Sequence, residues 1–128
     1  MKKLLILFTL LFSTVMFSSP SYAEWTKVSY SMNGNNFYVD FGRLRKGGGY
    51  VYFWQLSDYA EPRHGFMSLK LYIKGDCEAF RYKSLSYSFH KEPMGGGNGD
   101  IDNKPDNTWK YPPPKSITEK ILKSVCSR

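Results

Sequence analysis

Lys70, Tyr72 and Lys74 occupy alternate positions of "SLKLYIK", and Arg81 and Lys83 do the same in "FRYK" a few residues later. On a β-strand, residues two apart point to the same side. If the two segments pair as a hairpin with matching outward faces, they form a cationic ladder with tyrosine in it. Such a face attracts polyanions and acidic patches on proteins. These five residues are the candidate binding set, and the competing reading is a solvated strand face with no ligand. Basic side chains interleaved with aromatics also suit single-stranded nucleic acid, a partner that the export signal at the start of the chain argues against.

A second stretch has the composition of a ligand loop. "KEPMGGGNGDIDNKPDN" (91–107) carries four glycines within Gly95–Gly99, followed by Asp100, Asp102 and Asp106. Its spacing fits neither a Walker loop, a dinucleotide loop nor an EF-hand, which leaves an irregular calcium site as the open alternative. No Lys-Ser/Thr follows the glycines, as a Walker loop requires. After Gly95 and Gly97, the last position of a dinucleotide G-x-G-x-x-G is Asp100. An EF-hand loop begun at Asp100 has Pro105 where its sixth-position glycine is needed. The stretch therefore reads as a turn over Met94–Gly99 and then a mobile polar loop. Catalytic groups are equally sparse. His64 and His90 have no metal-binding spacing, and no G-x-S-x-G marks a nucleophilic serine. Asp76 and Glu78 flank Cys77 and read as turn and surface charges. No catalytic residue, metal or cofactor is assigned, and the expectation is a binding protein, not an enzyme.

The ladder needs a sheet to hold it, and strand signals run from Trp25 to Phe89. Trp25–Ser31 and Phe37–Phe41 flank a turn at Gly34. Gly47–Gly49 makes a hairpin-type connection to Tyr50–Tyr59, where Tyr50, Tyr52, Trp54 and Leu56 share one face and Val51 and Phe53 the other. A strand apolar on both faces is central and covered on both sides. Ala60–Gly65 reads as a loop. Met67, Leu69, Leu71 and Ile73 then alternate with Ser68, Lys70, Tyr72 and Lys74, and a tight turn at Gly75-Asp76 leads into the next strand. Connections this short make an antiparallel meander of five to six strands. After Pro112–Pro114, Ser116 and Glu119 form a capping box. Ile117, Ile121, Leu122 and Val125 then line one face of a helix too short to stand alone in water. It must dock on the sheet, giving an α+β fold.

The start of the chain reads as an export signal. "MKK" precedes the apolar run Leu4–Phe17, which is shorter than the roughly 20 residues of a spanning helix. Ser21 and Ala23 fit a signal peptidase site. Residues 1–23 are thus expected to be cleaved, leaving 24–128 as a single domain in the periplasm, at the cell surface or secreted. No cysteine near the cleavage site offers a lipid anchor. The only cysteines, Cys77 and Cys126, are expected to form one disulfide in an oxidising compartment. Ten Tyr, nine Phe and three Trp favour strands, and the net charge of +7 favours anionic partners.

"YVDFGRLRKGGGYVYFWQLSDY", with Asp40, Trp54, Leu56, Asp58 and Tyr59, resembles the surface-adhesin protein E family of small exported bacterial proteins. The likeness continues through "SLKLYIKGDCEAFRY", "MGGGNG", Trp109, the prolines and a terminal helix ending in Val125-Cys126. It implies an antiparallel sheet with a packed C-terminal helix, a disulfide between the two, and surface or periplasmic location. It further implies adhesion to host extracellular-matrix proteins such as vitronectin and laminin. The adhesin that gives the family its name is lipid-anchored, and this chain lacks the lipidation cysteine. Other compatible partners are anionic glycans and, for a protein that never meets a host, an envelope protein. An edge strand such as the Trp25 segment could pair with a second copy, so a homodimer is compatible with the resemblance.

Overall fold

The computed structural model describes residues 24–104 and 108–128. The expected signal segment 1–23 and Asp106 of the acidic stretch lie outside the described residues. Among the described residues, strands β1 (Thr26–Tyr30), β2 (Asn36–Val39), β3 (Arg45–Gly47), β4 (Tyr50–Arg63), β5 (Phe66–Asp76), β6 (Arg81–His90) and β7 (Gly99–Asp102) precede one α-helix, α1 (Ile117–Cys126). All seven strands form one antiparallel sheet in the order β1-β2-β4-β5-β6-β7. β3 pairs with the Tyr50–Tyr52 end of β4, along the edge that β2 occupies further on. The meander is as expected, with one or two more strands.

Helix α1 packs on one sheet face. Ile121, Leu122 and Val125 are buried against Val39, Val51, Phe53 and Ile73, with Ile117 packed at the margin. Each such side chain contributes about 1.5–3 kcal/mol through burial, which holds a helix of this length in place. Its start is capped by Ser116, whose Oγ accepts from the Glu119 N–H at 3.1 Å. The reciprocal half of the capping box lands one residue early, because Glu119 Oε1 accepts from the Lys115 N–H at 3.3 Å. Cys77 and Cys126 are bonded, tying the end of α1 to the turn after β5.

Three local expectations are corrected. Ala60–Arg63 continues β4 instead of forming a loop, and the reversal comes at His64-Gly65. The β5–β6 turn falls at 77–80, with Gly75 and Asp76 still in strand. Asp76 builds that turn: its carboxylate accepts from the Ala79 N–H at 3.2 Å and from Arg81 Nε at 2.9 Å. Finally, Asp100 and Asp102 belong to β7, which pairs with Tyr87–His90 of β6. The glycines thus lead into a strand at the sheet edge and not into a mobile loop.

Candidate binding face

The cross-strand register decides which side chains share the face opposite α1. Across β4, β5 and β6 the rows are Tyr52–Lys74–Lys83, Trp54–Tyr72–Ser86, Leu56–Lys70–Ser88 and Asp58–Ser68–His90. A register shift between Tyr72 and Ile73 keeps Lys83 and Ser86 on the same side. Asp76 and Arg81 pair at the end of this series. All five candidate residues (Lys70, Tyr72, Lys74, Arg81 and Lys83) therefore lie on one sheet face, which divides into a closed half and an open half.

The closed half lies under the glycine stretch. A short 3-10 turn, Pro93–Gly95, folds back over the sheet. The fully buried Ser68 accepts from the Gly95 N–H at 2.8 Å and donates to the Glu92 carbonyl at 2.6 Å. Asp58 Oδ1 accepts from the Met94 N–H at 2.8 Å. Buried His90 bridges the Gly96 carbonyl, 3.0 Å from Nδ1, and the Ser88 hydroxyl, 2.7 Å from Nε2. The backbone at Gly95 lies against the Lys70 side chain, whose end a Cβ would displace, and its φ of +69° suits glycine. Lys70 is thus set apart from the other four candidates, tucked beneath the loop.

The open half is aromatic as well as cationic. Trp54 and Tyr72 pack with ring centroids 4.8 Å apart, and Tyr52 continues the row 6.4 Å from Tyr72. Trp109 sits beside β6, where Tyr82 and Lys110 form an isolated bridge, and its ring reaches back across the face to stack on Tyr50 at 5.8 Å. Cations lie on these rings: Lys74 is 4.1 Å from the Tyr50 centroid and 5.8 Å from that of Tyr52. Arg81 and Lys83 are each 4.4 Å from the Trp109 centroid. Arg43 lies 5.8 Å from Trp54 while its Nε binds the buried Asp40 at 2.7 Å. Such contacts are worth about 0.5–1 kcal/mol each at exposed sites.

Charge compensation across the open half is uneven. The Ala79 N–H and then the Arg81 guanidinium hold the Asp76 carboxyl below its ordinary range, and Asp76 in turn raises Arg81. Both arginines, Arg43 and Arg81, have a carboxylate partner. Among the described residues Lys74 and Lys83 have none, although their backbones are directly opposite. No group of three or more His, Cys, Asp or Glu among the described residues is placed to hold a metal ion.

A family model for surface-adhesin protein E matches residues 25–127. The chain belongs to the surface-adhesin protein E family. Solved structures of Haemophilus influenzae protein E share its fold. Crystal form II matches with a TM-score of 0.64 at 15% identity, over 84% of this chain and 91% of that one. The selenomethionine form gives 0.63 at 17% identity, over 86% and 92%. A comparison with curated proteins finds no match. Membership makes this an adhesin-like surface protein. No helix among the described residues is long and apolar enough to cross a membrane.

The ladder read from the sequence leaves out half of this surface. Tyr50, Tyr52, Trp54 and Trp109 lie outside the candidate set, and so does Arg43. The first three carry a signal in the sequence: they alternate along β4 on the side away from Val51 and Phe53, and β4 is the hairpin partner of the strand bearing Lys74. Nothing comparable marks Trp109, which arrives from a distant segment through a single bridge.

Proposed function

We propose that this protein is an exported adhesin that engages host extracellular-matrix proteins, of the vitronectin and laminin kind, or polyanions through the open half of its sheet face. The observation that carries the reading is the Lys74–Lys83 pair, seated on Tyr50, Tyr52 and Trp109 and lacking any carboxylate partner among the described residues. The closed half, by contrast, has its polar groups bonded internally. The proposed contact residues are Tyr72, Lys74, Arg81 and Lys83 with the flanking aromatics, and Lys70 is peripheral.

Solid-phase binding to immobilised vitronectin, laminin and heparin at physiological salt tests this. Saturable binding that is lost in Lys74→Glu with Lys83→Glu supports the proposal. Binding to none of the three, or binding indifferent to the double change, overturns it. Labelling of intact cells with a non-permeant reagent tests surface exposure. Protection from the label instead favours a periplasmic role with an envelope partner.

A further inference from the structure

Within that reading, on which this inference rests, we propose that the open half is a subsite for a sulfated polysaccharide. Lys74 and Lys83 hold a sulfate group between them, and the adjoining sugar rings lie on Tyr72 and Trp54.

The argument starts from an energetic anomaly. Like charges directly opposite each other on neighbouring strands are destabilising, and Lys74 and Lys83 are such a pair. Sheets ordinarily relieve this with a nearby carboxylate, as this one does for Arg81 through Asp76 and for Arg43 through Asp40. At the lysine pair the compensation is aromatic instead. Lys74 lies over Tyr50, Tyr52 and Trp109, and Lys83 over Trp109. A ring face steadies an ammonium without neutralising it, so both charges remain available to an incoming anion. A compact oxyanion between them removes the repulsion and adds charge-assisted hydrogen bonds.

The size of the cationic spot narrows the ligand. Among the described residues of the open half, with both arginines paired to carboxylates, the positive charge without a carboxylate partner is concentrated at Lys74 and Lys83, while Lys70 lies apart against Gly95. A long acidic peptide calls for a longer stripe. A single sulfate on a sugar matches the spot, and the next row of the sheet supplies what the sugar needs. That row is Trp54 beside Tyr72, half-buried, 4.8 Å apart and inclined at 38° to each other, an apolar ring surface for the C–H face of a pyranose. A nucleotide also combines a flat ring with an anion, but a surface adhesin meets glycans on host matrices, which favours the polysaccharide as occupant.

The test is titration of the mature protein with a heparin-derived hexasaccharide, followed by tryptophan fluorescence and calorimetry. De-sulfated hexasaccharide, polyglutamate, oligo-dT and lipopolysaccharide serve as the parallel probes. Saturable binding of the sulfated sugar, with at least about tenfold weaker binding after de-sulfation, is the expected result. Lys83→Gln and Lys74→Gln each weaken it about tenfold, and Tyr72→Ala weakens it while the protein keeps its thermal unfolding midpoint within a few degrees. Lys70→Gln leaves affinity unchanged. Equal binding of sulfated and de-sulfated sugar overturns the proposal, and so does tighter binding of oligo-dT, polyglutamate or lipopolysaccharide. Retained affinity in both lysine variants overturns it as well. Binding to vitronectin or laminin without hexasaccharide binding sinks this inference alone and leaves the adhesin reading standing. Hexasaccharide binding without either matrix protein does the reverse for those partners.

Discussion

Gly75→Ala tests whether the contact between α1 and the sheet is as close as the structure has it. Gly75 lies in β5 opposite Val51, on the face that α1 covers, and its φ is not positive, so alanine suffers no backbone strain. What alanine lacks is room. A Cβ there would sit 2.9 Å from Val51 Cγ1 and 3.1 Å from Leu122 Cδ1. Val51 is β-branched and stiff about its first torsion, so the strain falls on Leu122 and moves the helix. Overpacking of this kind costs about 1–3 kcal/mol. The narrower unfolded ensemble of alanine returns about 0.4–1 kcal/mol, leaving a net loss of about 1–2 kcal/mol. At roughly 4–8 °C per kcal/mol for a domain of this size, the melting midpoint drops by roughly 5–15 °C. Thermal and urea denaturation with the disulfide intact measure it. Pairing the change with Leu122→Ala, which vacates space beside the new methyl, costs less than the sum of the two single changes. An unchanged or raised midpoint for Gly75→Ala, or strict additivity in the double variant, refutes the contact.

Replacing both Cys77 and Cys126 with serine releases a loop with a sequence separation of 49 residues. The chain-entropy model assigns this about 4 kcal/mol, read as a lower urea midpoint that reduction reproduces in the native protein. Ser68→Ala leaves the Gly95 N–H unpaired under the folded-back turn. It costs about 1–3 kcal/mol and speeds amide hydrogen exchange at Gly95. The Asp76 carboxyl titrates below its unfolded value of about 3.9. Its contribution to stability is therefore fully present above that value and lost as pH falls through the lowered one. The gap in urea midpoint between the native protein and Asp76→Asn is accordingly constant from neutral pH to about pH 5 and closes in stronger acid.

The parts legible in the sequence are those where local pattern and tertiary demand coincide. Period-two alternation along Met67–Lys74 marks a strand because one side of β5 faces the helix. The spacing of Ile117, Ile121, Leu122 and Val125 marks a helix because the same residues meet Val51 and Phe53. The misread parts are those where a residue's usual meaning yields to its surroundings. Pro62 suggests a loop, yet β4 runs through it. Pairing with β5 is interrupted between Asp58 and Arg63, and pairing with β2 ends at Asp58, so no ladder bond needs the missing N–H. Gly75 suggests a turn and instead makes room for Leu122. Asp100 and Asp102 suggest a polar loop, but β6 offers an unpaired edge and Gly99 alone can lie against Ser88 and His90.

The glycine stretch and the lysine pair illuminate each other, because they occupy two halves of one surface under opposite conditions. In the closed half, Ser68, Asp58 and His90 each bond backbone groups of the turn. Among the described residues no buried side-chain nitrogen or oxygen is left without a partner. In the open half the same sheet carries two like charges face to face beside a row of half-buried rings, with the Trp109 ring stacked on Tyr50 at its end. Folding alone does not call for that arrangement, since a glutamate at either lysine position makes a cross-strand ion pair instead. The open half is where the fold accepts a local electrostatic cost, and an anionic partner of the proposed kind would relieve it.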